Sequence, residues 1–268
     1  MKDSNGKFIF RTMHEMNGNW FSWSGDPKNY QIAYKRIWDL SRAAGLDHNN
    51  ILFNFAINIE DLPSKNGKVN SEMIYCSPVA KKKLGCITAE DFYPGSEYVD
   101  MTSLSMYNWG RGRNASWAKW QSFQDMLMNS KMNTYARLKL YGKPIFLDEV
   151  GTTAVNFEGA WSEQKAKSEY KNTLEKKNLW LTHMRETLGN EPAIIGALYF
   201  NRDRTKGLTD RSRAEELDWA ALSLETGKEY THILEFFSDP KMNTKSLPFG
   251  TPIKKPTLPR KKLIQKNR

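Results

Sequence analysis

The chain has 268 residues, 39% of them hydrophobic and 26% charged, and carries a formal net charge of +10. This length suits one large domain or two small ones and is sufficient for a buried core. It contains no run of about 18 apolar residues, so we expect no membrane-spanning helix. Cys76 and Cys86 are the only cysteines and have no histidine at ligand spacing, so we expect no metal site. Whether the two are bridged stays open.

The positive charge is concentrated at the carboxyl end. Residues 251–268 contain seven basic side chains, three prolines and no acid, which leaves +3 for residues 1–250. We predict a domain over residues 1–250 followed by a disordered, solvated basic tail over residues 251–268. A nucleic-acid partner is therefore not expected, although a polyanion binder acting through this tail is an alternative reading.

Short strand patterns alternate with longer helical patterns along the chain. Strands are predicted over residues 7–15, 50–58, 98–107, 143–150 and 193–200. Helical patterns occupy residues 29–45, residues 117–142 and a segment in which Ala166, Tyr170, Leu174, Leu181 and Leu188 share a face. Strands that alternate with helices at this spacing predict βαβ units and a parallel sheet.

Two α/β architectures fit such a pattern, the open doubly wound sheet and the closed (β/α)8 barrel. No glycine-rich phosphate loop follows any predicted strand, which disfavours a nucleotide-binding sheet. Polar and aromatic residues instead collect where several strands end, as in His14-Glu15, Asn58, Tyr107-Asn108-Trp109 and Asp148-Glu149. A (β/α)8 barrel places its active site at that end, and we predict this fold.

Glu15 and Glu149 each end an otherwise apolar strand pattern. In the segment "KPIFLDEV" the alternation of a strand puts Leu147 and Glu149 on one face and Asp148 on the other. Burying a carboxylate at a strand end costs free energy, so such a residue is expected to have hydrogen-bond or ion-pair partners or a function. Two glutamates that meet across a barrel mouth can divide the work of glycoside hydrolysis between them.

Each of these side chains also has a plainer interpretation. A single glutamate at a strand end is usually a helix cap or an ion-pair partner, and His14 alone would be a hydrogen-bonded structural histidine. Most of the nine tryptophans must be core. The grouping of Glu15 with Trp20 and Trp23 favours a sugar site, because pyranose rings stack on aromatic faces, but spacing alone leaves both readings open.

Three segments resemble a known family. "RTMHEMNGNWFSW" resembles the fourth-strand motif of glycoside hydrolase family 26, retaining (β/α)8 enzymes dominated by endo-β-1,4-mannanases. "FYPGSEYVDMTSLSMYNWG" is similar to the sixth-strand segment of that family, and "GKPIFLDEVGT" to its seventh-strand nucleophile segment. The resemblance extends from Lys7 to about Leu224.

The resemblance implies a role for each matching residue. Glu15 would be the general acid/base and Glu149 the nucleophile of a double displacement, in which Glu15 has to carry a proton for the first step. His14 would help to position Glu15 and the sugar, and Tyr107 would hydrogen-bond the nucleophile. No metal or organic cofactor is implied.

Three further aromatic residues would bind substrate by the same resemblance. Trp20 would line the subsite at the cleaved bond, and Trp109 belongs to the family's Tyr-Asn-Trp-Gly landmark. Tyr199 stands where the family usually has a tryptophan platform. The implied partner is a polysaccharide, a β-mannan or a related β-glycan, with no membrane involved.

The family's acid/base lies on the fourth barrel strand, whereas here it is residue 15. We therefore expect an N-terminally truncated portion of the barrel that covers roughly strands 4 to 8 and lacks an N-terminal segment. Whether this chain is active alone stays open. The family implies secretion, although the start of the chain shows no signal peptide.

The main functional hypothesis is a retaining endo-β-1,4-mannanase in its full-length form. One alternative is a non-catalytic carbohydrate-binding relative, and another is a β-1,3-xylanase or mixed-linkage glucanase. The departures from the family's usual residues in the predicted strand over residues 50–58 and at Tyr199 keep the substrate open.

Overall fold

The computed structural model describes residues 6–60, 64–65, 68–69, 87–110, 119–130, 132–153 and 163–201, with only the backbone at 64–65, 68–69 and 163–175. Within these ranges no helix combines the length and apolar character needed to cross a bilayer. The predicted tail over residues 251–268 and both cysteines lie outside the described residues.

Five parallel strands form the main sheet. The strands in chain order are β1 (Phe8–Phe10), β2 (Ile51–Asn58), β3 (Ser64–Lys65), β4 (Lys68–Val69), β5 (Met101–Asn108), β6 (Ile145–Thr152) and β7 (Ile194–Tyr199). The main sheet has the order β1-β2-β5-β6-β7, while β3 and β4 form a separate antiparallel pair. Because all neighbours in the main sheet are parallel, their carboxyl ends meet at one edge.

The two faces of the main sheet differ in chemistry. One face packs on the helices in the main core cluster, which includes Phe53, Phe55, Leu104 and Leu147. The other face carries a small apolar cluster formed by Leu52, Met101 and Phe146, with Ile9 and Ile195 packed against it. Further along the strands this second face becomes polar, at Ser103, Ser105 and Asp148, which are all buried.

Helix α1 (Pro27–Ala43) connects β1 to β2. Its cap is Asp26, whose side chain accepts a backbone N–H of the first turn, and Pro27 supplies a preset φ at the first helical position. Tyr30 and Tyr34 bury one face of the helix in the main core cluster. Gly45 follows with a φ of 79°, a conformation that glycine adopts without strain, and the helix stops there.

The remaining helices follow β5 and β6. Helices α2 (Phe123–Met128) and α3 (Thr134–Lys139) lie between β5 and β6, and α4 (Glu163–Asn190) leads into β7. A 3₁₀ turn at Ala89–Phe92 precedes β5. The ring of Trp180 on α4 lies 5.0 Å from that of Phe123, edge to face, which joins α4 to α2.

All five predicted strands are present, but two boundaries were wrong. The strand predicted over residues 7–15 ends at Phe10, because the chain turns away in a left-handed conformation at Met13. Within the helical pattern over residues 117–142, the described residues form two short helices, and Asn133 with a φ of 51° directly precedes the second.

Candidate active site

A tight turn after β1 carries the predicted acid/base. Met13 and Glu15 have left-handed backbone conformations, with φ values of 46° and 53°. Such conformations cost about 1–3 kcal/mol each for residues other than glycine. The Glu15 amide donates to the carbonyl of Ala56 at 2.8 Å, and the Gly18 amide donates to the carbonyl of Glu15 at 2.9 Å. The turn is therefore fastened to β2.

Both carboxylate oxygens of Glu15 accept N–H donors. Asn58 Nδ2 donates to Oε1 at 2.9 Å, and the indole Nε1 of Trp20 donates to Oε2 at 2.8 Å. The residue is only 7% exposed. A carboxylate with so little contact to water is stabilised by such donors, so the two bonds fix the place of Glu15 in the site.

Asn17 holds the end of β2 in place. Its Oδ1 accepts the Asn58 amide at 2.9 Å, and its Nδ2 donates to the carbonyls of Asn58 and Glu60 at 2.9 and 3.1 Å. Asn58 Oδ1 in turn accepts the Glu60 amide at 3.0 Å. The side chain that bonds to Glu15 is thus itself fixed by the backbone around it.

The pairing of β5 with β6 is interrupted at Asp148. Leu104 lies opposite Leu147 and Ser105 lies opposite Glu149, so Asp148 has no residue opposite it. An extra residue in one strand of a pair is a β-bulge, and it resets the alternation of side chains between the two faces.

The bulge changes the direction of the predicted nucleophile. Val150, and not Glu149, joins Ile145 and Leu147 in the main core cluster. The alternation that placed Glu149 on the face of Ile145 and Leu147 was therefore wrong. Because of the extra residue, Glu149 and Asp148 both contact the same arginine instead of lying on opposite faces.

Arg11, the first residue after β1, joins three side chains of β5 and β6. Its Nε donates to Asp148, one terminal nitrogen donates to Glu149 Oε1 at 2.6 Å, and the other donates to Ser105 Oγ at 2.7 Å. Burial favours the neutral guanidinium, but the charges of Asp148 and Glu149 prevail and raise the pKa of Arg11. The guanidinium therefore stays charged between the two carboxylates.

Asp148 is the buried member of this group. Ser103 Oγ donates to it at 2.6 Å and Ser105 Oγ at 3.3 Å. Burial raises the pKa of Asp148, while the charge of Arg11 opposes that shift. The Asp148 side chain is 3% exposed, against 26% for Glu149, so Glu149 is the carboxylate of this pair that a substrate can reach.

Tyr107 supplies the second donor to Glu149. Its hydroxyl donates to Glu149 Oε2, the oxygen that Arg11 leaves free. Burial, together with the hydrogen bond and charge of Glu149, raises the pKa of Tyr107 far above its ordinary value. The phenol therefore keeps its proton and remains a hydrogen-bond donor to Glu149 at neutral pH.

His14 lies within electrostatic range of the whole group. Burial and the charge of Arg11 lower the pKa of His14, while the carboxylates of Glu15 and Glu149 oppose the shift. Its ring contacts Phe21 edge to face at 4.7 Å. Tyr107 likewise interacts with the charges of Glu149, Glu15 and Arg11. The two predicted catalytic glutamates therefore belong to one site, beside a neutral imidazole.

The predicted aromatic residues are placed differently from one another. Trp20 is 44% exposed, and the ring of Trp109 lies 6.3 Å from that of Tyr107. Tyr199 instead packs against the main core cluster and donates to the Thr152 carbonyl at 3.4 Å. The ring that contacts Tyr107 from the end of β7 is that of Phe200, at 5.4 Å.

The chemistry of this site is that of two carboxyl groups with different surroundings. Glu149 is partly exposed and paired with a cation and a phenol, whereas Glu15 is shielded and held by two neutral N–H donors. In the part of the chain that the structure describes, no three His, Cys, Asp or Glu side chains are grouped to hold a metal ion. The two carboxyl groups, in their different surroundings, offer acid, base and nucleophile chemistry.

Comparison with known proteins identifies the family of this chain. The family model for glycosyl hydrolase family 26 matches residues 1–186, which is more than half of the chain. The chain belongs to glycosyl hydrolase family 26. The resemblance inferred from the three sequence segments is thereby confirmed.

Named relatives of this family 26 chain include two curated enzymes. Endoglucanase H of Acetivibrio thermocellus is 28% identical over 159 residues, which are 56% of this chain and 14% of the relative. A mannan endo-1,4-beta-mannosidase of Bacillus subtilis (strain 168) is 28% identical over 158 residues, 55% of this chain and 31% of the relative. The chain thus spans less than a third of either relative's length.

A solved GH26 beta-mannanase from Bacteroides ovatus has a similar fold. It superposes with a TM-score of 0.51 at 18% identity, over 88% of this chain and 51% of that chain. The predicted fold class is confirmed: the parallel five-stranded sheet corresponds to a portion of a (β/α)8 barrel.

Sequence reasoning missed two members of this candidate site. Arg11 and Asp148 stood in the quoted segments but received no role, although Arg11 contacts both carboxylates of β6. A signal was available, because an arginine within a predicted strand calls for an anionic partner, and "DE" within another predicted strand offers two carboxylates. The bulge that turns both carboxylates toward Arg11 leaves no such sign in the sequence.

Proposed function

We propose that this chain carries the catalytic carboxylates of a retaining endo-β-glycanase that hydrolyses β-1,4-mannosidic linkages. The observation that supports it is the pair of Glu15 and Glu149, placed in one site with both oxygens of each carboxylate hydrogen-bonded. Two relatives from Bacillus subtilis are mannan endo-1,4-beta-mannosidases, which supports the substrate class.

The first step of the proposed reaction breaks the glycosidic bond. Glu149 attacks the anomeric carbon while Glu15 transfers a proton to the departing oxygen, which leaves a glycosyl ester on Glu149. Glu149 suits this role because it is the partly exposed carboxylate of β6 and forms an ion pair with Arg11. Arg11 and Tyr107 each hold one oxygen, so the carboxylate is fixed in orientation before substrate arrives.

The second step returns the enzyme to its starting state. Glu15, now a carboxylate, takes a proton from water, and the water oxygen displaces Glu149 from the anomeric carbon. Two displacements on the same carbon restore the original configuration. His14, neutral because of its lowered pKa, offers one donor and one acceptor nitrogen to a sugar hydroxyl.

Glutamine variants of the two carboxylates test this function. Glu149→Gln and Glu15→Gln keep the side-chain shape but remove the nucleophile and the acid/base, so hydrolysis of mannohexaose should fall by at least about a thousandfold. Glu90→Gln is the matched control, because Glu90 pairs with Arg137 outside the site.

The substrates should be compared side by side by product chromatography. Mannohexaose, β-1,3-xylan and mixed-linkage β-glucan distinguish the mannanase from the other two glycanases considered above. Binding of mannohexaose without cleavage by the unaltered chain would favour the non-catalytic carbohydrate-binding alternative. Hydrolysis by Glu149→Gln at the unaltered rate would show that the nucleophile is elsewhere.

A further inference from the structure

Arg11 is a cation that two carboxylates share. Its Nε donates to Asp148, and one terminal nitrogen donates to Glu149 Oε1 at 2.6 Å. One positive and two negative side chains therefore lie together, with one negative charge in excess. The Arg11 side chain is only 20% exposed, so its charge is balanced by these partners more than by water.

Asp148 is the partner that the protein encloses. Its side chain is 3% exposed, and its carboxylate accepts hydrogen bonds from Ser103 Oγ at 2.6 Å and Ser105 Oγ at 3.3 Å. Burial lowers the pKa of Arg11, but the charge of Asp148, followed by that of Glu149, more than reverses this effect. Of the two carboxylates, Asp148 therefore contributes more to keeping the guanidinium charged.

Glu149 is the partner whose charge changes during the proposed reaction. Its side chain is 26% exposed, and the first step converts its carboxylate into a neutral glycosyl ester. An ester oxygen can still accept a hydrogen bond, but it no longer balances a positive charge. Among the described residues, Asp148 is then the carboxylate that remains in ion-pair contact with Arg11.

The second carboxylate changes the electrostatic cost of forming the ester. With Glu149 as its single counterion, Arg11 would become a largely buried, unpaired cation at this stage, which is strongly unfavourable. With Asp148 present, ester formation removes the excess negative charge and leaves a balanced pair. It also relieves the repulsion between Asp148 and Glu149, which adds to the effect of burial in raising the pKa of Asp148.

We propose that Asp148 is a positioning residue, the permanent counterion of Arg11 that keeps the guanidinium in place while Glu149 is esterified. It thereby favours formation of the glycosyl ester over its hydrolysis. The bond changes are those of the proposed function: Glu149 bonds to the anomeric carbon as the departing oxygen takes the proton of Glu15. Neither Asp148 nor Arg11 gains or loses a proton. This inference rests on the proposed glycanase function.

The kinetic test uses Asp148→Asn, which keeps the side-chain shape and an acceptor oxygen but removes the charge. A dinitrophenyl β-mannoside fluorinated next to the anomeric carbon separates the two steps. Its rate of inactivation reports ester formation, and the rate of recovery after its removal reports ester hydrolysis. In Asp148→Asn inactivation should slow by on the order of tenfold, because Arg11 loses its last counterion. Recovery should become about threefold faster, because the departing Glu149 carboxylate restores an ion pair.

Opposite changes in the two rates distinguish this role from a structural one, since a distorted site would slow both steps. Asp100→Asn is the matched control, because Asp100 is also buried but lies directly before β5 and accepts the Phe53 amide at 2.7 Å. It should leave the ratio of the two rates unchanged. In a chain with Arg11→Gln, adding Asp148→Asn should no longer alter that ratio. Equal slowing of both steps by Asp148→Asn alone, or no change in either, would overturn the inference.

Nuclear magnetic resonance gives a second readout that keeps Asp148 unaltered. The Nε–H signal of Arg11 can be assigned by its absence in Arg11→Lys. It should keep its ion-paired position in Glu149→Gln, which imitates the neutral ester, and in the trapped glycosyl-enzyme. Movement of this signal to the position of a solvent-exposed arginine in either protein overturns this inference alone. The absence of any sugar ester on Glu149 overturns the proposed function, and this inference with it.

Discussion

At the scale of single residues, the side chain of Arg11 links the end of β1 to β5 and β6 by hydrogen bonds. It donates to Asp148, Glu149 and Ser105 with three different nitrogens. A guanidinium can do this because its donors form a rigid planar fork, whereas a lysine ammonium is a compact point charge. The orientation of Glu149 therefore depends on the shape of the cation as well as on its charge.

Arg11→Lys tests this dependence. The positive charge is kept, but one ammonium cannot reproduce the three-way arrangement, so we expect kcat/KM on mannohexaose to fall about a hundredfold. Arg137→Lys is the matched control, because Arg137 binds Glu90 away from the site and its replacement should leave kcat/KM unchanged. Equal activity of Arg11→Lys and the unaltered chain would show that charge alone suffices.

His14 makes a separate prediction about stability. Its folded-state pKa lies below the unfolded value near 6.5, so the unfolded chain binds the proton first as the pH falls. The His14 contribution to stability is therefore complete above about pH 6.5 and is lost as the pH falls through the folded-state pKa. Between about pH 7.5 and 5, the urea midpoint of the unaltered chain should fall further than that of His14→Asn. A parallel fall in both proteins would contradict the assignment.

Single residues show where sequence reasoning succeeds and where it stops. Glu15, His14 and Tyr107 could be predicted as site residues because their segments carry recognisable family motifs. Glu149 could also be predicted, but the face of β6 on which it lies could not, since the alternation of a strand does not reveal a bulge at Asp148. The hydrogen bond of Trp20 to Glu15 depends on the left-handed turn at Glu15. A glutamate in the sequence gives no reason to predict that backbone conformation.

At the level of elements, β7 packs closely against β6 at Gly196, which has no side chain. A Cβ added to Gly196 would lie 2.5 Å from the Phe146 ring, whose edge covers that position. Phe146 belongs to the small cluster with Leu52 and Met101 on the face that carries the site. The sequence pattern predicted β7 as a strand, but the need for glycine within it comes from a ring on the neighbouring strand.

Gly196→Ala measures this contact. The added methyl group has to displace Phe146 or separate the strands, so the free energy of unfolding should fall by about 1–3 kcal/mol in urea titration. Phe146→Leu in the same chain makes room for the methyl group, and the double variant should lose less than the sum of the two single effects. Strictly additive losses would mean that the ring and the glycine do not contact each other.

The element boundaries were less predictable than the elements. The strand patterns of β2, β5, β6 and β7 are strong signals, and each strand was found within a few residues of its predicted position. Helix α1 was also clear, because Tyr30 and Tyr34 mark its buried face. The early end of β1 escaped prediction, since residues 11–15 continue a strand-like composition while the chain turns toward β2.

At the level of the whole molecule, the site draws on the carboxyl ends of β1, β2, β5 and β6. Those ends meet because every neighbouring pair of strands in the sheet is parallel. The chain aligns with about half of a solved family 26 enzyme. Both proposed catalytic glutamates nevertheless lie within these strands and their loops, so the central chemical step can be tested on this chain.

The most direct test is to trap the glycosyl ester on Glu149. A dinitrophenyl β-mannoside fluorinated at the carbon next to the anomeric centre forms the ester faster than water can remove it. Mass spectrometry of proteolytic fragments should then locate one added sugar on Glu149, and none in Glu149→Gln. Turnover of mannohexaose without any such adduct, or a sugar attached to Glu15 instead, would contradict the proposed mechanism.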